Sequence, residues 1–254
     1  MTSPLEDLIE ESERIAEAAR EKKIGLKLLG GAGIHAHSPS ARKAPLKRKY
    51  GDLDYVISKR DRKAVIELFK QLGYEANERF NLMNGDRRLY FYDAAHGRQV
   101  DVFIDVFRMS HAIDLRGRLE HDHPAVSPSD LLLSKLQIYE VNRKDLIDVA
   151  ALMLDHAIET GDAADAIEAA YIARLAADDW GFYRTLQVNI DRVRTLLEEL
   201  EEIDRELVNA RLDELWGHIE DAPKPLRWRI RAQVGDRVRW YELPEETRSP
   251  YQPE

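Results

Sequence analysis

The chain has 254 residues, of which 33% are charged, 44% hydrophobic and 8% aromatic, with a formal net charge of −9 and no cysteine. That length suits one large domain or a core domain with a second layer, and the composition is that of a globular protein rather than a disordered one. The missing thiols exclude a disulfide framework, a thiolate zinc site and a cysteine nucleophile, while the acidic balance argues against a protein that coats nucleic acid non-specifically.

The first segment, MTSPLEDLIEESERIAEAAREKK, lacks the apolar run of a signal peptide and is too acidic for a transit peptide, so a cytoplasmic location is the expectation. Nothing in the chain reads as an uninterrupted membrane span. Leu5, Leu8, Ile9, Ile15, Ala16 and Ala19 recur at helical spacing and predict a surface helix buried along one stripe.

IGLKLLGG reads as a short strand ending in Gly30-Gly31, and AGIHAHS as the start of a short helix. Ser38 to Tyr50 contains two prolines and the cations Arg42, Lys43, Lys47, Arg48 and Lys49, and is expected to be an exposed loop. GDLDYVIS then opens a strand with Asp52 and Asp54 two residues apart, so both carboxylates face the same side of a sheet. Like charges at that distance repel unless something neutralises them. DRKAVIELFKQLG follows as a helix with Val65, Ile66, Leu68, Phe69 and Leu72 on one face and Gly73 at its end. RRLYFYDAAHGRQVDVFIDVF reads as an antiparallel hairpin turning at AHGR.

Beyond Ser127 the pattern is helical. Ser127, Pro128 and Asp130 form a helix start leading into LLLSKLQIY, and Asn142 with Asp145 opens NRKDLIDVAALMLDHAI. Further helices are expected over 163–177, 180–200 and 203–219, with Trp180 and Trp216 as packing residues. The final stretch interleaves Arg227, Arg229, Arg231, Arg237 and Arg239 with Trp228, Trp240 and Tyr241. It reads either as a surface that stacks and neutralises RNA or as an arm whose arginines pair with the acidic helix face around Glu198 to Glu206, with the second favoured by the net charge.

Gly30-Gly31, Asp52-Leu53-Asp54, Asp101 in VDVF, Lys135 and RKDLID at 143–148 occur in that order. Together they resemble the nucleotidyltransferase superfamily of the DNA polymerase β type, including its minimal nucleotidyltransferases and AbiEii-type bacterial toxins. The later segments LLLSKLQIYEVNRKDLIDVAALM, DDWGFYRT and RWRIRAQVGDRVRWYELPEE look like an uncharacterised bacterial nucleotidyltransferase-like family. The superfamily resemblance spans about residues 24–154, and the narrower one covers most of the chain. The 20 residues between Gly31 and Asp52 are a departure, since they are more than the superfamily usually shows, and make the basic segment look like an insertion.

The resemblance implies an α/β fold in which a mixed-sheet nucleotidyltransferase palm, residues 1–125, precedes a helical C-terminal region, residues 126–254, with its basic arm. It implies Mg²⁺ or Mn²⁺ held by Asp52, Asp54 and Asp101, with Gly30, Gly31, Lys135, Asp145 and Asp148 binding the nucleotide. The chemistry fits these residue types: phosphoryl-type transfer needs positioning and charge neutralisation, and hard divalent cations prefer carboxylate and phosphate oxygens. The substrate would be an NTP and the acceptor a hydroxyl on RNA, protein or a small molecule, with no membrane partner and with an antitoxin or a second copy of the chain as further partners. A catalytically idle nucleotide- or RNA-binding module and an aminoglycoside-type resistance enzyme are the alternatives.

Several positions carry a second reading. Asp105 shares a strand face with Asp101 at roughly 13 Å and is the reserve third carboxylate. Asp145 occupies the third position after the Asn142 cap, where a carboxylate serves the helix terminus. Asp148 is also placed to pair with Arg143 or Lys144, and Lys135 to be a solvated helix lysine. His121, Asp122 and His123 fit no standard zinc spacing and read as a solvated turn; His35 and His37 read as capping or surface residues, with reach to a substrate, just after the glycines, as the alternative.

Overall fold

A computed structural model describes residues 3–120, 123–161 and 165–243. Helix α1 (Leu8–Glu21) is capped by Asp7, whose carboxylate accepts from the backbone N–H groups of Ile9 and Glu10 at 2.8 and 3.0 Å. Strand β1 (Leu26–Leu29) runs directly into α2 (Gly30–His37), so the glycine pair forms the first turn of a helix. After β2 (Asp52–Ile57) come α3 (Arg62–Gln71), β3 (Glu75–Ala76), α4 (Glu78–Asn84) and the hairpin of β4 (Arg88–Asp93) and β5 (Arg98–Ile104). A small ribbon, β6 (Val106–Arg108) with β7 (Ala112–Asp114), leads to α5 (Pro128–Leu136) and α6 (Arg143–Asp155). The paired segments β8 (Ile158–Glu159) and β9 (Ile167–Glu168) precede α7 (Ala169–Asp178), α8 (Trp180–Glu199), α9 (Arg205–Asp221) and α10 (Leu226–Val234).

The five-stranded sheet has the order β1-β2-β5-β4-β3, with β2 and β5 parallel and the other neighbours antiparallel. This is the mixed α/β fold. Side-chain alternation divides its two faces. Leu53, Tyr55 and Ile57 of β2, Val100, Val102 and Ile104 of β5, and Leu89 and Phe91 of β4 pack with Ile15, Val65, Leu68 and Phe69 of α1 and α3. The opposite parity carries Asp52, Asp54 and Asp101, then Val56 and Phe103, which join the core formed with α5 and α6. One face of β2 and β5 therefore begins as a carboxylate site and ends as hydrophobic core.

Helix α5 lies inside the molecule, with all of its residues buried. Ser127 caps it and Pro128 occupies its first position, as its sequence predicts, with Ser127 Oγ accepting from the Asp130 N–H at 3.2 Å. Buried Asp130 is paired with Arg118 at 2.9 Å, and that guanidinium also stacks 3.8 Å from the Tyr171 ring centroid. No helix among the described residues is long and apolar enough to cross a membrane.

Four expectations change. The segment after Ser38 is not a simple exposed loop: it forms a 3₁₀ turn over Pro39–Arg42, buries Ala41 and Leu46, and is tied to α6 by Ser40 donating to Asp155 at 2.6 Å. The helix expected from 163 begins at Ala169, because Ile158 and Ile167 pair first, and positions 162–164 lie outside the described residues. Within the basic arm, 226–234 is helical, and its arginines do not meet the 198–206 face among the described residues. Arg227 pairs with Asp178 at 3.4 Å and Arg231 donates to the Gly235 and Val238 carbonyls, whereas Glu198 pairs with Arg205 and Glu199 with Arg143. The indoles anchor the arm, with Trp228 donating to the Ala176 carbonyl at 3.0 Å and Trp240 to Thr185 Oγ1 at 3.1 Å. Finally, His37 is buried rather than at the surface, with only 5% of its side chain exposed; His121 and Asp122 lie outside the described residues. Trp180 and Trp216 do pack against their helical neighbours as expected.

Candidate active site

Two neighbouring strands bring the carboxylates together. Parallel pairing of β2 with β5 makes Asp54 and Asp101 direct register partners, and Asp52 stands one pleat earlier on the same face. Asp52 is exposed, Asp54 half-buried and Asp101 buried. Asp105 is elsewhere: its backbone has φ +61° at the end of β5, and its carboxylate accepts from the Lys59 N–H at 3.0 Å.

The glycine pair approaches this face closely. Gly30 has φ +57°, and a Cβ there would lie 2.1 Å from Asp54 Oδ2. A Cβ on Gly31 would lie 2.4 Å from the Tyr50 ring and 2.7 Å from the Arg48 guanidinium. Both positions thus need glycine, the first for backbone conformation as well as space. No side chain caps the N-terminus of α2, so its first N–H groups and the positive end of its dipole are presented beside Asp54.

Burial, followed by the charges of Asp52 and Asp101, pushes the Asp54 carboxyl up to about 8, with Lys135 and Arg88 opposing the shift. Burial also raises Asp101, although Arg88 holds its carboxylate with a 2.8 Å Nε–Oδ1 bond. Arg88 in turn lies 4.9 Å over the Phe103 ring. Without a cation, then, the site keeps a proton where neutral pH would normally leave a carboxylate. The donor set consists of carboxylate oxygens, which fits Mg²⁺ or Mn²⁺, and the space beside Asp54 left by the absent Gly30 side chain is consistent with that fit.

Lys135, Asp145 and Asp148 also meet, but in a buried ion network. Lys135 Nζ is 2.7 Å from Asp145 Oδ1 and 3.0 Å from Asp148 Oδ2. Arg48 binds Asp148 through two bonds of 2.7 and 2.6 Å and stacks 4.4 Å from the Tyr50 centroid. Burial works against the Lys135 ammonium, but Asp148 and Asp145 outweigh it and its pKa rises. Asn142 caps α6 by accepting from the Asp145 N–H at 3.1 Å, which leaves the Asp145 carboxylate for Lys135. Neither Arg143 nor Lys144 is the partner of Asp148.

Arg48, Tyr50 and Arg88 belong to this constellation and are not singled out for it by the sequence. Arg88 becomes visible only when the hairpin register sets it opposite Phe103, two residues beyond Asp101. Arg48 carries no local signal within a run of cations. It lines a cleft of about 1260 Å³ to which Arg42, Lys47, Lys49, Tyr50 and Gly51 contribute, together with Glu6, Asp7 and Glu10 from the start of the chain.

No known family model matches the chain, and no curated protein does. Among solved structures, the chain is similar to the lincosamide antibiotic adenylyltransferase LnuA in its lincomycin-bound form. That similarity has 16% identity and a TM-score of 0.43, covering 59% of this chain and 98% of that one. It is also similar to the antibiotic-resistance factor ANT(2'')-Ia, at 15% identity and a TM-score of 0.41, covering 66% of this chain and 93% of the other. An antigenic nucleotidyltransferase-like protein from Paracoccidioides brasiliensis is similar over 89% of this chain and 97% of its own, at 14% identity and a TM-score of 0.43. Likenesses of this size say nothing of the reaction, which has to be read from the side chains.

Proposed function

We propose that the protein is a divalent-metal-dependent nucleotidyltransferase that moves a nucleoside monophosphate from an NTP to an acceptor hydroxyl and releases pyrophosphate. The observation that carries this reading is the Asp52, Asp54 and Asp101 face, with Gly30 so close to Asp54 that a Cβ would overlap its carboxylate. Three carboxylates gathered at this cost are poorly accounted for as a strand edge, and are well accounted for as ligands.

In this reading Asp52, Asp54 and Asp101 hold Mg²⁺ or Mn²⁺, which when bound neutralises charge on the phosphates and on the attacking and leaving oxygens. The acceptor oxygen forms a bond to the α-phosphorus as the bond from that phosphorus to the pyrophosphate oxygen breaks. Asp101 accepts the hydroxyl proton, while its bond to Arg88 keeps its second oxygen oriented. The N–H groups at Gly30 and Gly31 meet triphosphate oxygens. Two of the three Lys135 N–H bonds are engaged by Asp145 and Asp148, leaving the third to a phosphate while the pair holds the ammonium in place. The cleft lined by Arg42, Lys47, Arg48 and Lys49 on one part of its wall and by Glu6, Asp7 and Glu10 on another offers charges of both signs to an acceptor.

The test supplies each α-labelled NTP with Mg²⁺, total RNA and lysate to the purified protein, beside an Asp52→Asn/Asp54→Asn variant. Label transferred only by the intact aspartates supports the reading and identifies the acceptor class. No transfer with any NTP, despite thermal stabilisation by NTP, would replace it with a nucleotide-binding module.

A further inference from the structure

At the opposite end of α2 from Gly30, four segments converge on a group of imidazoles. His37 ends α2, His156 caps the C-terminus of α6, His123 precedes the 124–126 segment that bonds to β1, and Asp165 lies just before β9. A ligand atom from each of His37, His156 and Asp165 lies within 4.8 Å of the other two. Asp165 Oδ1 is 3.7 Å from His37 Nδ1 and 3.3 Å from His156 Nδ1. Bonds of about 2.0–2.1 Å in a tetrahedral site put ligands roughly 3.3–3.4 Å apart, close to the two separations from Asp165, so an ion would mainly have to draw the two imidazoles together.

The tautomers point the same way. His37 Nε2 is 3.0 Å from the Val126 carbonyl, which can only accept, so this nitrogen carries the proton and Nδ1 presents its lone pair toward Asp165. A backbone carbonyl on the distal nitrogen is the usual support for a metal-bound histidine. The His123 ring stacks on His37 with centroids 3.9 Å apart and holds its plane. Burial keeps His37 neutral, with a pKa near 4.

His156, 2% exposed, has an unmet demand in either tautomer. Its Nδ1 is 3.0 Å from the Asp165 carbonyl and 3.3 Å from Asp165 Oδ1, whereas its buried Nε2 has no hydrogen-bond partner among the described residues. A proton on Nδ1 strands a buried lone pair at Nε2, whereas a proton on Nε2 sets the Nδ1 lone pair against two oxygens and leaves the Nε2–H without an acceptor among the described residues. A cation facing Nδ1 relieves the clash there, because both oxygens and the nitrogen then face positive charge, and leaves the Nε2–H as the one unmet donor of the ring.

We infer that His37, His156 and Asp165 form a second metal site, separate from the carboxylate face, that takes a borderline divalent cation of the zinc type. Two imidazoles and one carboxylate select Zn²⁺, or Co²⁺ in its place, and disfavour Mg²⁺. The exposed Asp165 side chain leaves a fourth position accessible to solvent. The ion clamps the last residue of α2 to the end of α6, and so fixes the helix whose first turn lies against Asp54.

The test uses the full-length protein freed of metal by chelator dialysis, titrated with Zn²⁺ in competition with a chromophoric chelator. One Zn²⁺ per chain is expected, undisturbed by excess Mg²⁺ and retained by Asp52→Asn/Asp54→Asn, and Co²⁺ should give the visible absorption of a four-coordinate site. Asp165→Ala, which alters an exposed side chain, should weaken binding by about tenfold or more, and His156→Gln should abolish it. The inference is overturned if the wild-type chain takes up no stoichiometric Zn²⁺. Affinity unchanged by Asp165→Ala, or uptake lost only with Asp52 and Asp54, overturns it equally, and the Asp165→Ala arm decides even if His156→Gln fails to fold.

Discussion

Gly30 and Asp54 are held so close that a single methyl group on the glycine would sit 2.1 Å from the carboxylate. Gly30→Ala must therefore displace either the first turn of α2 or the carboxylate, and must also place alanine at φ +57°. A stability loss of about 1–3 kcal/mol is expected, with transfer activity reduced by a larger factor than the folded fraction. Thermal melts and initial rates on the same preparation check this, and an active, undiminished Gly30→Ala enzyme would contradict the geometry.

Asp101 and Asp105 make opposite predictions. Asp101 is the register partner of Asp54, whereas Asp105 spends its carboxylate on the Lys59 N–H. Asp101→Asn should reduce transfer by orders of magnitude, while Asp105→Asn should leave the rate within a few-fold, since asparagine tolerates positive φ. Steady-state rates for the two variants decide between them.

If the carboxylate face holds a cation as proposed, the Asp54 carboxyl, raised to about 8 without one, would set the pH dependence of its binding. Below that value the cation must displace a proton, so Mg²⁺ affinity should climb with pH and level off near 8. The sign for folding is unusual for an aspartate. Between its ordinary value of 3.8 and 8 the folded chain holds a proton that the unfolded chain has lost, so stability attributable to this group declines as pH rises through that window. Asp54→Asn should remove both trends. Calorimetric titrations in buffers of different ionisation enthalpy would report the released proton.

Lys135 stands between two buried carboxylates, and Lys135→Met would leave Asp145 without its 2.7 Å partner and Asp148 with Arg48 alone. Breaking a buried pair on one side costs about 3–5 kcal/mol, which denaturant unfolding at pH 7 would measure. A Lys135→Met/Asp145→Leu chain should recover part of that loss without recovering nucleotide affinity.

Under α1, Glu11 is buried and accepts from Arg14 at 2.7 Å, Tyr74 at 2.5 Å and the Leu5 N–H at 3.0 Å. Burial opposes its ionisation, but these donors outweigh burial and hold its pKa below the ordinary 4.5. Its stabilisation is therefore present above the unfolded value and fades as pH falls below it. Glu11→Gln should cost about 1–3 kcal/mol at pH 7, and the gap from wild type should narrow in acid. Melting curves at neutral and acidic pH provide the comparison.

The sequence by itself determined what depends on neighbours along the chain. The i, i+2 spacing in DLDYVI put Asp52 and Asp54 on one strand face, and the apolar runs flanking AHGR marked the hairpin that carries Asp101. Ser127, Pro128 and Asn142 announced helices α5 and α6 through local capping chemistry. Only the tertiary structure decided that β2 and β5 run parallel in the register joining Asp54 to Asp101, because a hairpin pattern constrains β4 with β5 and leaves the third strand undetermined. The same holds for Arg48 on Asp148, 100 residues apart, and for His37 beside His156 and Asp165. Such contacts join segments with no shared periodicity, and their energy comes from mutual burial and charge pairing, which exist only once the helices have packed onto the sheet.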